Sequence, residues 1–193
     1  IVKADKRFSA HLDRLKALDA ADPLARFGSA FVLPEGVIYL AGNSLGPPPR
    51  AAAARMAEAV EAEWGGELVG AWTSRDWIGA PARVGAKIAP FIGAKASEVI
   101  VADSTSVDLF KLLAAALRAR PERRTVLTVE GDFPTDLYVA GGVGGLLDGR
   151  RVRRVARAEL MSAMDADVAV LVLSHAHYRT GEVHDMAAVS KSE

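Results

Sequence analysis

Apolar positions Phe8, Leu12, Leu15 and Leu18 recur at helical spacing, and predict an amphipathic helix over roughly residues 5–20 that closes at "DAADP". "VIYLA" then reads as a short strand and "GNSLGPPP" as a Gly/Pro loop. The Ala-rich segment from Arg50 to Trp64 reads as a strong helix with a Pro near its start. The segment from Ser74 to Ile92 is helical in pattern, with limits blurred by Pro81 and Pro90. Beyond it the pattern alternates: strand "EVIVA", helix from about Ser106 to Arg118, strand "TVLTVE", helix from about Thr135 to Leu147, strand "RVRRV", a short helix near Met161, strand "DVAVLVL", and a helix that begins near the last residues. Alternating strands and helices imply an α/β fold with a mostly parallel sheet covered on both faces. No repeat, low-complexity tract or flexible linker interrupts the order.

Composition narrows the function classes. With 193 residues, half of them hydrophobic and a quarter charged, the chain can bury a substantial core, as one large domain or parts of two. Lys plus Arg equals Asp plus Glu at 24 each, and the one basic run, "RRVRRVAR", alternates charge with Val as a strand with one wet face would. Nucleic acid is therefore not the expected partner. The longest apolar runs, such as "VAVLVL", are much shorter than a membrane span, and the N-terminus lacks a signal-peptide pattern, so the expected compartment is the cytoplasm. The absence of Cys removes disulfides, thiolate metal sites and a Cys nucleophile.

In parallel sheets ligands gather beyond the carboxyl ends of the strands, and three such corners are unusually polar. After "EVIVA", Ser104, Thr105 and Ser106 precede a good helix. Hydroxyls and free N–H groups at a helix start suit a phosphate, although Ser104 or Ser106 could simply cap the helix. After "TVLTVE" comes "GDFPTD", where Phe133 can stack on a flat ring and Asp136, one turn on, can face the same way. The bland alternative is a buried Phe beside an acid that complements the helix dipole. The third corner, "LSHAHYRTGEVHD", crowds Ser174, His175, His177, Tyr178, Arg179 and Thr180 into one loop. A metal site from His175, His177 and His184 lacks a further ligand at persuasive spacing, and none is expected. The glycines of "AGGVGG" fall inside or at the end of a helical stretch, not between a strand and the helix it opens. They therefore read as close packing or a loose helix end and not as a dinucleotide loop. "GNSLG" does not match a hydrolase nucleophile elbow.

Taken together, "YLAGNSLGPPP", the tryptophans Trp64 and Trp72 of "WGGELVGAWTSRDW", "DSTSVDLFKLL", "DFPTDLYV" and "LSHAHYRTGEVHDM" resemble kynureninase in order and approximate spacing, from about Tyr39 to Met186. The resemblance implies the large domain of the aspartate-aminotransferase-like fold (fold type I of pyridoxal 5'-phosphate enzymes), incomplete in this chain. It implies a cytoplasmic homodimer that hydrolyses L-kynurenine, or its 3-hydroxy form, to anthranilate or 3-hydroxyanthranilate and L-alanine, in tryptophan catabolism and, in some organisms, NAD biosynthesis. It further implies that Thr105 and Ser106 hold the phosphate, Phe133 stacks on the pyridine ring, Asp136 belongs to the same cofactor segment and Ser174 makes another cofactor contact. Ser44 and Trp72 would line the substrate pocket.

On this reading, residues 1–50 form an N-terminal arm and substrate-pocket loop, and residues 51–193 the first half of the cofactor-binding domain. The family's cofactor-carrying lysine, its pyridine-nitrogen acid, a nearby His and its carboxylate-binding Arg are expected beyond the last residue. The segment after "HDM" departs from the family pattern, and Lys191 in "SKSE" lacks the lysine's context. The chain is thus expected to be an N-terminal portion, inactive alone. Alternative readings are another enzyme of the same fold, such as a cysteine desulfurase or class V aminotransferase, or a non-catalytic module.

Overall fold

The structure, a computed structural model, describes residues 6–147 and 149–191. Residue 5, where the first helix was expected to begin, and the last two residues lie outside the described set. The chain divides into two compact units, Ile1–Arg83 and Val84–Glu193.

The first unit is helical. Helix α1 (Lys6–Ala21) keeps the expected span, with Leu12, Leu15 and Leu18 exposed. "VIYLA" is not a strand: it runs without a paired neighbour, with Ile38 and Leu40 almost fully exposed. A β pattern becomes a strand only where a second segment takes its N–H and C=O groups, and among the described residues none does. Among the described residues, the bridge nearby joins Phe31 to Pro49. Helix α2 (Arg50–Glu58) follows Pro49 and widens into a π-helical turn, Ala59–Trp64. Short helices α3 (Gly65–Glu67) and α4 (Ala71–Ser74) come next, separated by a 3-10 turn at Leu68–Gly70. Glu63 is buried, takes a 2.7 Å hydrogen bond from Trp77 Nε1 and pairs with Arg55 at 2.9 Å. The Trp77 hydrogen bond, followed by the Arg55 guanidinium, holds the Glu63 carboxyl below its ordinary range against the opposing effect of burial.

Helix α5 (Ala80–Ile88) spans the division between the units and runs into a 3-10 turn, Ala89–Ile92, so the expected continuous segment from Ser74 is broken at residues 75–79. In the second unit "EVIVA" also fails to become a strand. Its backbone passes against Gly85, where an added Cβ would lie 2.7 Å from the Val99 carbonyl carbon and 3.0 Å from Ile100 Cα.

Helix α6 (Thr105–Ala119), strand β1 (Thr125–Val129), helix α7 (Pro134–Leu146), strand β2 (Arg151–Val155), a 3-10 turn at Arg157–Glu159 in place of the short helix near Met161, strand β3 (Val168–Val172) and helix α8 (Met186–Ser190) complete the order. The three strands form one parallel sheet in the order β2-β1-β3, with Val126 opposite Val152 on one side and Val170 on the other. Every residue of the central strand is buried. Leu113 and Leu117 of α6 and Ala140 and Val143 of α7 pack on the face carrying Val126. Leu160, Ala163 and Met164, from the β2–β3 connection, cover the face carrying Leu127 and Val129, with Val189 of α8.

Strand β2 does not have one wet face. Side chains three apart on a strand point to opposite faces, and Val152 joins the α6/α7 core while Val155 joins the other. The arginines are taken up by pairing. Arg151 reaches Asp167 at 2.7 Å, and Arg153 grips Asp165 with two contacts at 2.7 and 3.1 Å. Asp167 also accepts from Thr125 Oγ1 and the Arg124 amide. A polar tie thereby joins the amino ends of all three strands.

The glycines of "AGGVGG" lie within α7, where Gly144 comes against Val152, its Cβ position 3.5 Å from Cγ2. For Gly144 this is the close-packing alternative, while Gly141, Gly142 and Gly145 have open space at their Cβ positions.

Candidate functional site

The strand order creates the site. The chain leaves β1 for β2 over one face through α7, then returns past β1 to β3 over the other face. The connections after β1 and β3 thus diverge, and an open parallel sheet admits ligands at such a switch point, beyond the carboxyl ends. Helix α6 precedes β1 and runs back along it. Its 15 residues rise about 22 Å at 1.5 Å each, enough to carry its first turn past a five-residue strand. Topology therefore sends the helix start with Thr105 and Ser106, the β1 turn with Phe133 and Asp136, and Ser174 after β3 to one edge of the sheet.

At the start of α6, Ser104 is the cap, its Oγ accepting from the Val107 amide at 3.5 Å. The capping reading holds for Ser104, while no hydrogen bond among the described residues engages the hydroxyls of Thr105 or Ser106. Thr105 is exposed and Ser106 half-buried. Asp108 stands in the same turn, a negative charge that an anion here has to tolerate.

The β1 turn is built on Gly131, whose φ of +83° favours glycine. It leaves Phe133 as the residue before α7, 45% exposed, so the buried alternative for this ring does not describe the chain. The Phe133 ring meets Tyr178 edge-on, with centroids 5.2 Å apart and planes at 78°. Asp132 is buried, 4% exposed, and its Oδ2 has no hydrogen-bond partner among the described residues. Burial, and then the Asp132 charge, pushes the Asp136 carboxyl above its ordinary range. Two acids four apart at a helix start, one buried without a donor, form an arrangement suited to receiving a donor or a cation from outside.

The loop after β3 is a small hairpin. Ala176 bridges Val183, the His177 amide donates to Glu182 O at 2.8 Å and the Gly181 amide to His177 O at 2.9 Å. His177 Nδ1 faces the amides of Arg179 and Thr180 at 3.3 and 3.2 Å, and Nε2 stands 3.0 Å from Gly131 O. The backbone donors at Nδ1 place the ring proton on Nε2, which donates to Gly131. His184 is buried with Nε2 3.3 Å from Arg157 Nη1. Burial foremost, then the Arg157 charge, lowers its pKa, with Asp132 opposing. No group of three or more His, Asp or Glu able to hold a metal occurs among the described residues.

A cavity of about 320 Å3 lies beside the β1 turn, with Asp132, Tyr138, Arg154 and Arg179 in its wall. None of Thr105, Ser106, Phe133, Asp136 or Ser174 lines it. In the first unit, Ser44 is exposed in the Gly/Pro loop, and Trp72 of α4 is 54% exposed beside buried Ala71. Sequence alone assigns nothing to Gly131 or Asp132, and it marks a crowded polar loop without the contacts that the structure gives its His177 and Tyr178. The signal for the last two was present in the turn residues "RTG" between two short arms.

These features define the class: an α/β chain with a small parallel sheet whose switch point carries a polar edge. No protein-family model matches the chain. Curated proteins named kynureninase do resemble it. The protein of Pseudomonas fluorescens is 48% identical over 180 residues, covering 90% of this chain and 43% of its own length. Those of Burkholderia mallei strain SAVP1 and Burkholderia pseudomallei strain K96243 are each 46% identical over 182 residues, 91% of this chain; the former is covered over 44% of its length. Over nine tenths of its length the chain is thus homologous to kynureninases, and it spans less than half the length of these relatives.

Proposed function

We propose that this chain belongs to a kynureninase, which as a complete protein hydrolyses L-kynurenine, or its 3-hydroxy form, to anthranilate or 3-hydroxyanthranilate and L-alanine. The observation that carries the proposal is identity of 46–48% over nine tenths of the chain to proteins bearing that name. The parallel sheet with its polar carboxyl edge is compatible with the large domain of a fold type I pyridoxal 5'-phosphate enzyme, with residues 1–50 as arm and pocket loop and 51–193 as the domain's first half. A homodimer in the cytoplasm belongs to the same proposal.

The residues present fit that cofactor on their own chemistry: unengaged hydroxyls at a helix start for a phosphate, an exposed Phe ring, and a buried carboxylate lacking a donor. When bound, pyridoxal phosphate supplies the electron sink for cleavage next to an amino group. Thr105 and Ser106 would hold its phosphate with the α6 N–H groups. Phe133 would lie against its ring, with Asp136 and Ser174 bordering the same space. Ser44 and Trp72 would receive the aromatic part of kynurenine.

The experiment is Phe133→Ala in the complete gene product. Loss of one stacking contact of about 1 kcal/mol beyond area burial should weaken cofactor retention about fivefold with an unchanged fold. Unchanged affinity in a folded variant refutes the stacking role. Turnover of kynurenine in the parent protein, set against cysteine and other amino acids, tests the activity itself.

A further inference from the structure

Two loops that the sequence keeps 46 residues apart are joined by one side chain. His177, in the hairpin after β3, donates from Nε2 to the carbonyl of Gly131, in the turn after β1, at 3.0 Å. On its other edge Nδ1 accepts from the Arg179 and Thr180 amides at 3.3 and 3.2 Å, with Thr180 Oγ1 at 3.1 Å. The neighbouring Tyr178 sets its ring edge-on to Phe133 at 5.2 Å. Both contacts reach the turn that presents Phe133, one through its backbone and one through its ring. That turn is closed by its own backbone, with the Asp132 amide on Val129 O at 3.3 Å and the Glu130 amide on Val155 O at 2.8 Å, but among the described residues no other side-chain hydrogen bond reaches residues 130–133, and Gly131 sits at positive φ.

We propose that His177 is a positioning residue, a clasp from the β3 hairpin that fixes the β1 turn and so sets the tilt of the Phe133 ring against the flat ligand at the switch point. The inference rests on the reading of Phe133 as the stacking residue. The carbonyl of Gly131 can accept from water as readily as from an imidazole, so the clasp adds orientation more than gross stability. Tyr178 transmits it while the hairpin keeps its shape, which the backbone bonds of residue 177 with Glu182 and Gly181 hold whatever its side chain.

The two edges can be separated by substitution. An Asn amide at 177 occupies the place of Nδ1 and can still accept from the turn amides, but it is too short to reach Gly131. A Gln amide extends to the place of Nε2 and can donate to Gly131. The measurements, on the complete protein freed of cofactor, are the dissociation constant for pyridoxal 5'-phosphate and the hydrogen exchange of the amides from Asp132 to Asp136. His177→Asn should weaken cofactor binding about three- to tenfold and speed exchange in that segment, whereas His177→Gln should stay within about twofold on both. Wild-type exchange in the segment for His177→Asn, or the same acceleration in both variants, overturns the clasp. Phe133→Ala measured alongside separates the two ideas. If it leaves affinity unchanged the stacking reading fails, and the exchange result still decides whether His177 holds the turn.

Discussion

Replacing Gly85 by Ala should destabilise the protein, although the same change stabilises most helices. Gly85 is buried in α5, and a Cβ there would stand 2.7 Å from the Val99 carbonyl carbon and 3.0 Å from Ile100 Cα. Non-bonded carbons prefer about 3.5–4.0 Å, so the helix or the Val99–Ile100 backbone has to move by about 1 Å. Backbone does not yield as a flexible side chain does, and with every close contact a backbone atom the cost falls in the upper part of the overpacking range, about 2–3 kcal/mol. The gain in helix propensity returns about 1 kcal/mol. The balance is a loss of about 1–2 kcal/mol, or a melting temperature lower by about 2–8 °C for a domain of this size. Gly141→Ala is the control: it lies in α7 with nothing within 4 Å of its Cβ position. It should raise stability by about 0.5–1 kcal/mol. Thermal unfolding of the two variants beside the parent, followed by circular dichroism, reads the difference. A Gly85→Ala protein melting at or above the parent would refute the close-approach argument.

Trp72→Ala, at a side chain 54% exposed, should leave the melting temperature nearly unchanged and raise KM for kynurenine more than it alters cofactor spectra; a loss of about 3–5 kcal/mol in stability would instead mark Trp72 as a packing residue. Hydrogen bonds from Arg153 hold the Asp165 carboxyl down at about 2 from an ordinary 3.8. Because the folded-state value is depressed, the contribution is present above the ordinary value and lost as pH falls through the folded one. The urea midpoint of Asp165→Asn should therefore lie below the parent's near neutral pH and converge with it as acid is added toward about pH 2; a gap that persists in acid would mean that the carboxylate charge is not its source.

The elements legible in the sequence are those whose partners also lie in it. "TVLTVE", "RVRRV" and "DVAVLVL" pair with one another and appear as β1, β2 and β3 close to their expected limits. "VIYLA" and "EVIVA" carry the same β pattern without a pairing segment among the described residues, and local propensity cannot supply one. The two-faced nature of β2 was readable from the three-residue spacing of Val152 and Val155, but the density of arginines suggested a wet face, and only the pairing with Asp165 and Asp167 shows where those charges go. At the candidate site, the polar helix start and the aromatic at the strand end stood out by residue type. The His177 contact did not, since it depends on a hairpin folding back 46 residues later onto one carbonyl oxygen.

The tie around Asp167 has a consequence for how such a chain can change over time. Asp167, Thr125, Arg124 and Arg151 fasten the sheet at its amino edge, while the residues proposed to bind ligands hang from the opposite edge. Substitutions in the loops after β1 and β3 can therefore be sampled without undoing the fastening. Substitutions in the Asp167 group act on the framework that every version of the loops requires. A lineage exploring new ligands at this edge would be expected to vary around residues 131–136 and 174–184 and to hold the Asp167 group steady.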